Sequence, residues 1–315
     1  MGSIPGKAMQ GYSSRVTRVD ACGRVVYGEA SQAVSEGFVS VAWTANTTEV
    51  AEIAQENARG RRCLYKPAET KFASYSVVMT FCEVDPEYFG LVTGQRVILD
   101  AFGNAVGFAI SSAVDLGERG FGLEVWAGSP PSEEGCTNPN AQGRFGYFLA
   151  AFMKGGILGD YTIENGAINF TITGATTQDG TAWGVGPYPV QLDALGNPGP
   201  LIQPLQNKDH KVMIWTEVAP PAPFYGTRPL LDPSSTSITA VVATEGGSPM
   251  EASFEFTGGA ADAPVWIEFG DGTWDWIADG TTDAVHVYEE EGTFQVRASS
   301  DGKTWRTTSV VIPFP

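Results

Sequence analysis

The sequence predicts a mainly β protein built as two β-sandwich domains, the first with one flanking α-helix. Three observations lead there. Charged residues make up only 17% of the 315, whereas glycine (38) and proline (20) are frequent, which is the composition of a chain with many turns. Short runs alternate apolar and polar residues. The clearest is Ser74–Cys82, where Tyr75, Val77, Met79 and Phe81 point one way and Ser76, Thr80 and Cys82 the other, as in a half-buried strand. Finally, the last 80 or so residues hold seven such short runs between turn signals.

Taken in order, residues 1–14 are small and polar and predict a flexible arm. Arg15–Cys22 and Arg24–Tyr27 predict two strands joined around Gly23, and Gly37–Ala45 alternates again. Asn46–Ala58 predicts a helix lying on a sheet face. Asn46 fits an N-cap, Glu49 completes a capping box, Val50, Ile53 and Ala54 form a narrow stripe, and Gly60 stops it. Arg59, Arg61 and Arg62 follow. They are either a solvated helix end stabilised by the dipole or an inter-subunit contact for an acidic neighbour. After the Ser74–Cys82 strand, Asp85 and Pro86 suit the cap and first position of a short helix that Thr93-Gly94 closes.

A meander of antiparallel strands is predicted at Arg96–Phe102, Val106–Asp115 and Phe121–Trp126, with turns at Gly103-Asn104 and Gly117–Gly120. The acids Asp100, Asp115, Glu118 and Glu124 recur there, either as a solubilising face or as a wall facing DNA. Ser129–Gly143 reads as a loop. Strands follow at Arg144–Met153, Asp160–Glu164 and Ala167–Thr173, with Asn165-Gly166 a two-residue turn. Thr181–Leu205 is irregular, and Lys211–Glu217 closes the first domain, residues 1–217. Residues 218–236 predict a semi-rigid linker, with five prolines in Val218–Ser235. In the second domain, residues 237–315, Val265, Ile267 and Phe269 face inward, Trp266 and Glu268 outward, and Gly270-Asp271-Gly272 and Asp301-Gly302 are turns. Seven short strands in that length is the immunoglobulin-like pattern.

Bulk chemistry narrows the function. The net charge is −17, and residues from Ser237 onward hold 13 acidic and 3 basic side chains. Such a protein is poorly suited to gripping nucleic acid, because phosphate binding needs Lys and Arg. The four cysteines (Cys22, Cys63, Cys82, Cys136) lack CxxC spacing, which predicts reduced thiols and no metal. Nothing at the N-terminus resembles a signal peptide, and no run of about eighteen apolar residues predicts a membrane anchor. Neither histidine, His210 nor His286, sits in a recognisable catalytic motif, and no cofactor-binding glycine motif occurs. The expectation is a protein that is not an enzyme and takes no cofactor.

Two blocks carry a resemblance. FC-x-VDPE-x3-L-x-TG (Phe81–Gly94) and WGVGPYPV (Trp183–Val190), with GDYTIENGAINFTIT between them, resemble the major tail tube proteins of long-tailed phages of actinobacteria. FGDGT (Phe269–Thr273), then His286 and Tyr288, then GTFQV (Gly292–Val296) resemble PKD domains. The resemblance implies a tail-tube-like sandwich followed by a PKD-type immunoglobulin-like sandwich. It implies a structural virion protein whose hexameric rings stack into a tube assembled in the host cytoplasm. Implied partners are further copies of itself, the tape measure, tail terminator and distal tail proteins, and DNA passing through the lumen without specific binding. The C-terminal domain would sit outside, with attachment to host surface carbohydrate as a second role. Two alternatives stand beside this reading. One is a secreted carbohydrate-binding protein or hydrolase with a PKD accessory domain. The other is a different virion part, such as a tail terminator or capsid decoration protein.

Overall fold

The computed structural model describes residues 10–128, 145–163, 169–260, 263–278 and 283–314. The chain is mainly β, as expected. It forms two compact units. One holds the residues up to Val25 together with Ala33–Gly226; the other holds Val26–Gln32 and the chain from Thr227 onward. Three earlier expectations fall outside the described residues: the Ser129–Gly143 loop, the Asn165-Gly166 turn and the first nine residues of the arm. So does Cys136.

The first unit contains β1 (Gln10–Val19), β3 (Phe38–Val50), β4 (Ile53–Glu56), β5 (Arg62–Lys66), β6 (Glu69–Phe81) and α1 (Pro86–Thr93). It continues through β7 (Arg96–Leu99), β8 (Ala105–Ala109), β9 (Gly120–Gly128), β10 (Phe145–Lys154), β11 (Ile157–Leu158) and β12 (Phe170–Thr177). Then come β13 (Gln191–Leu192), β14 (Pro198–Gly199) and β15 (Val212–Thr216). β2 (Gly28–Ser35) and β16 (Phe224–Leu230) carry the chain between units. The main sheet runs in the order β1-β9-β10-β12-β6-β3, with β15 also on β10 and β11 on β12. These pairings are antiparallel.

β6 behaves as its alternation predicts: Val77, Met79 and Phe81 are buried, while Val78 is exposed. β3 does not alternate simply. A bulge between Phe38 and Ser40 swaps its faces, so Phe38, Val41 and Trp43 all pack against the same core. The Asp85 cap is also as expected. Its Oδ1 accepts from the N–H groups of Glu87 (2.9 Å) and Tyr88 (3.4 Å), Pro86 opens the helix, and Gly94 ends it in the left-handed region at φ 69°. The helix puts Tyr88, Phe89 and Val92 into a core with Val16, Val77, Met79, Phe81, Phe121 and Leu123.

Several expectations need correcting. Asn46–Ala58 is not a helix. β3 runs through Asn46 to Val50, and β4 follows. The Asn46–Glu49 and Val50–Ile53–Ala54 spacings fit a helix locally, but pairing with β6 over the length of β3 satisfies the same backbone groups. The one α-helix among the described residues is α1. β1 begins at Gln10, inside the expected arm, and the next strand is 28–35 rather than Arg24–Tyr27. Residues 160–163 form no strand. The expected linker contains β16.

The second unit contains β17 (Ile238–Glu245), β18 (Glu251–Gly258), β19 (Val265–Glu268), β20 (Trp274–Ile277), β21 (Ala284–Val287), β22 (Gly292–Ser299) and β23 (Arg306–Ile312). The sheets β17-β18-β21 and β20-β19-β22-β23 enclose a core that includes Ile238, Phe254, Val265, Ile267, Val296 and Val310. Gly270-Asp271-Gly272 is a tight turn. Asp271 accepts from the N–H (2.9 Å) and hydroxyl (2.6 Å) of Thr273, and its other oxygen meets His286 Nε2 at 2.7 Å. His286 stacks on Phe269 at 4.1 Å, so the histidine clamps this turn. Gly270 has φ +87°, and a Cβ there would sit 2.6 Å from the Gln295 carbonyl oxygen.

Asp301 ties the second end of this sandwich. Its carboxylate accepts from the hydroxyls of Ser237 and Ser299 and from the N–H groups of Lys303 (2.9 Å) and Thr304 (2.7 Å). Burial alone pushes the carboxyl up, but these donors overcome that and hold its pKa at about 2. The folded value lies below the unfolded one, so its stabilisation is full above about pH 4 and is lost as the pH falls towards 2. At pH 7, Asp301→Asn is expected to cost this unit about 2 kcal/mol. In calorimetry, the gap between variant and parent should close between about pH 4 and pH 2.

Candidate assembly surface

β3 and β6 pair far beyond the core. From Phe38↔Phe81 inward the strands are packed; from Thr47↔Phe72 to Val50↔Glu69 they leave the core behind, and β4 and β5 extend the excursion as a hairpin. The departure point is marked by a second bulge, between Asn46 and Thr47. There the Asn46 side-chain amide donates to the hydroxyls of Ser74 (2.9 Å) and Ser76 (2.8 Å). The resulting arm, residues 47–72, shows solvent an apolar set: Ile53, Leu64, Tyr65 and Phe72, each about half exposed. Among the described residues β3 pairs only with β6, so its outer edge is open. A second hairpin, β7–β8, exposes Leu99, Val106 and, at its tip, Phe102, which is 91% exposed. Exposed apolar groups clustered on projecting hairpins are the mark of a contact surface.

The three arginines singled out from the sequence sit on this arm, though not at a helix end. Asn57 Oδ1 accepts from the N–H groups of Arg59 (2.9 Å) and Arg61 (3.1 Å), closing the β4–β5 turn through Gly60 at φ 71°. Arg62 lies over the Tyr65 ring at 4.9 Å. All three are exposed. The strand reading was within reach: Asn57-Ala58-Arg59-Gly60 is a turn signal, and Thr44, Thr47, Thr48 and Val50 favour strands.

The four acids do not form one wall. Asp100 closes the β7–β8 turn, accepting from Phe102 N–H (2.8 Å) and Asn104 N–H (2.9 Å); the Asn104 side chain and these backbone donors hold its carboxyl below the ordinary value. Asp115, which accepts from Gly117 N–H at 2.7 Å, and Glu118 are exposed between β8 and β9. Glu124 is the correction: it is wholly buried. β9 is covered on both faces, so alternation could not send Glu124 to solvent.

Glu124 is instead held by its cross-strand neighbour Arg15. The guanidinium donates through Nε (2.6 Å) and Nη2 (2.7 Å), and the Tyr147 hydroxyl donates to the same carboxylate at 2.7 Å. Burial opposes the charge on Arg15, but Glu124 more than restores it and raises the pKa; burial and Glu124 together push Tyr147 well up. Tyr188 covers the guanidinium at 3.2 Å to its ring centre, and Trp126 flanks it at 5.0 Å. Trp183 seals the same region: a Cβ on Gly122 would lie 2.6 Å from its ring. The WGVGPYPV block is thus a lid on a buried ion pair. A lone charge within FGLEVWAG was the signal for it.

His210 does stand in a hydroxyl–imidazole–carboxylate chain, with Thr177 Oγ1 at 2.9 Å from Nδ1 and Asp179 Oδ1 at 2.8 Å from Nε2. Thr177 is buried, however, and its Oγ1 also accepts from Tyr75 N–H at 2.8 Å, so it is a structural link and not a placed nucleophile. Glu36, Glu83 and Asp85 line a cleft, where Asp85 is already committed to its helix cap and to Gly226 N–H at 2.7 Å. Among the described residues no three His, Cys, Asp or Glu side chains gather as a metal site, and Cys22, Cys63 and Cys82 carry free thiols.

No protein-family model matches the chain, and no curated protein matches it.

The two kinds of acid should separate on mutation. Glu124→Ala leaves Arg15 buried without its partner and is expected to destabilise the first unit by about 3–5 kcal/mol. Glu118→Ala should stay within about 0.5 kcal/mol of the parent. Urea unfolding of both variants checks the contrast.

Proposed function

We propose that this chain is a structural subunit of a phage tail tube, polymerising as stacked hexameric rings around a channel for DNA, with the C-terminal unit displayed on the exterior. The observation that carries the reading is the arm. A long two-stranded excursion with exposed apolar side chains and an open strand edge is costly in a solitary protein and useful in a polymer. Closed cyclic symmetry lets identical arms cover one another's edges, and head-to-tail contacts stack the rings. Arg59, Arg61 and Arg62 on the arm give it a positive tip in a chain of net charge −17, which suits an acidic neighbouring copy. Asp100, Asp115 and Glu118 remain fit for a channel wall, since a wall that repels phosphates lets DNA pass. The tape measure, tail terminator and distal tail proteins would be the partners at the tube's interior and ends, and the subunit would act in the virion and not as an enzyme.

A tail terminator or capsid decoration protein would use similar surfaces but stop at single rings or patches. A secreted glycan-binding protein or hydrolase is the other reading; a face of the second unit, described below, suits glycan binding.

Negative-stain microscopy of the concentrated protein is expected to show hollow tubes or six-fold rings. Leu64→Asp, on the exposed arm, should leave the melting temperature within about 2 °C of the parent while abolishing the tubes. Tubes that form equally well with Leu64→Asp would place the contact elsewhere. A monomer that cleaves polysaccharide would overturn the proposal.

A further inference from the structure

The outward face of the β20-β19-β22-β23 sheet collects four of the chain's eight tryptophans. On β19, Val265 and Ile267 enter the core, so Trp266 and Glu268 turn outward. The register sets Trp276 opposite Trp266, and both Trp274 and Arg297 opposite Glu268. Trp274 and Trp305 meet Trp266 edge to face, each with centroids 5.9 Å away. Arg297 lies over Trp305 at 4.7 Å and donates to Glu268 at 2.7 Å. Trp274 is 36% exposed and Trp276 and Trp305 are half-buried. The Trp266 Nε1–H is shielded and has no partner among the described residues. Large aromatic rings normally fill cores, and four gathered on the solvent side of this sandwich form a contiguous aromatic patch of the kind that marks a binding surface.

Charge selects among occupants. From Ser237 onward there are 13 acidic and 3 basic residues, and Arg297 on this face is already taken by Glu268, whose charge Arg228 also feels. A phosphate or sulfate polymer, or an anionic membrane, would be repelled. A neutral sugar ring has the complementary chemistry. Its C–H face carries slight positive charge and suits the negative face of an indole, and its hydroxyls need donors and acceptors at the ring edge. Glu268 and Arg297 supply acceptor and donor beside the rings, with Gln295 and Ser309 further along the same face.

We propose that this tryptophan face binds neutral polysaccharide, with Trp274 and Trp305 as stacking platforms and the Glu268–Arg297 pair as the hydroxyl-binding group. The proposal stands whether or not the first unit builds tubes, because its residues all lie in the second unit.

Native affinity electrophoresis of the full chain tests it, with hydroxyethyl cellulose, dextran, galactomannan or arabinogalactan cast in the gel and alginate as the anionic control. At least one neutral polymer should retard the protein and quench its tryptophan emission, and alginate should do neither. Trp274→Ala and Trp305→Ala should each weaken retardation about tenfold, the loss of one aromatic anchor. Val287→Ala, on the other sheet, should change nothing, and thermal melting confirms that each variant is folded. Should a variant fail to fold, the quenching of the unaltered protein still decides. The proposal is overturned if none of the four neutral polymers retards the chain, or if retardation survives both tryptophan variants. It is also overturned if sedimentation shows self-association that Trp274→Ala removes, which would assign the face to a second copy.

Discussion

The first unit depends on neutralising a carboxylate in the middle of a doubly covered strand. β9 is buried along nearly its whole length, and Glu124 lies at its centre. An isolated buried charge of this kind would cost several kcal/mol. Arg15, Tyr147, Tyr188 and Trp126 surround it so that the charges and their donors are matched. These groups come from β1, β9, β10 and the irregular segment before β13. Satisfying one carboxylate therefore ties together parts of the chain that are remote in sequence. An apolar pair of the same shape could be as stable; the ion pair's particular contribution is to fix the β1–β9 register, since a slip of one residue would strand both charges.

Around that centre, what could be read from sequence divides by range. Asp85-Pro86 and Gly94 are local instructions, and they made the capped helix expected of them. The FGDGT turn and the inward row Val265, Ile267 and Phe269 are local too. The Asn46–Ala58 segment misled because its capping-box and i, i+3, i+4 spacings are also local, while the pairing that overrode them joins Val50 to Glu69 and Asn46 to Ser74. Glu124 misled for a related reason. Alternation marks an outward position, but a strand covered on both faces has no outward position, and the cover lies some sixty residues away at Trp183 and Tyr188. The outward direction of Trp266 was legible; that Trp274, Trp276 and Trp305 join it was not, because only the sheet register assembles them.

The two units expose quite different chemistry. The first presents apolar and basic side chains on projecting hairpins, suited to burying against protein. The second presents a compact aromatic face beside the Glu268–Arg297 ion pair, suited to a flat, uncharged ligand. A scaffold that multiplies the second unit would turn weak individual binding into strong collective attachment, through effective concentration and without any new contact.

The clamp of Asn46 on Ser74 and Ser76 has one more implication. It stands where packed sheet gives way to solvent-facing arm, and it fixes the direction of departure with polar groups alone. Beyond it the side chains of 51–71 are exposed, and the arm's ring contact with the packed sheet is Phe72, which meets Tyr75 and His210, so a change of sequence at 51–71 costs the unit little packing. The fold of the unit and the surface of the arm are thereby set by largely separate stretches of chain, so a contact made through the arm would be open to revision within fewer than thirty consecutive residues, 47–71.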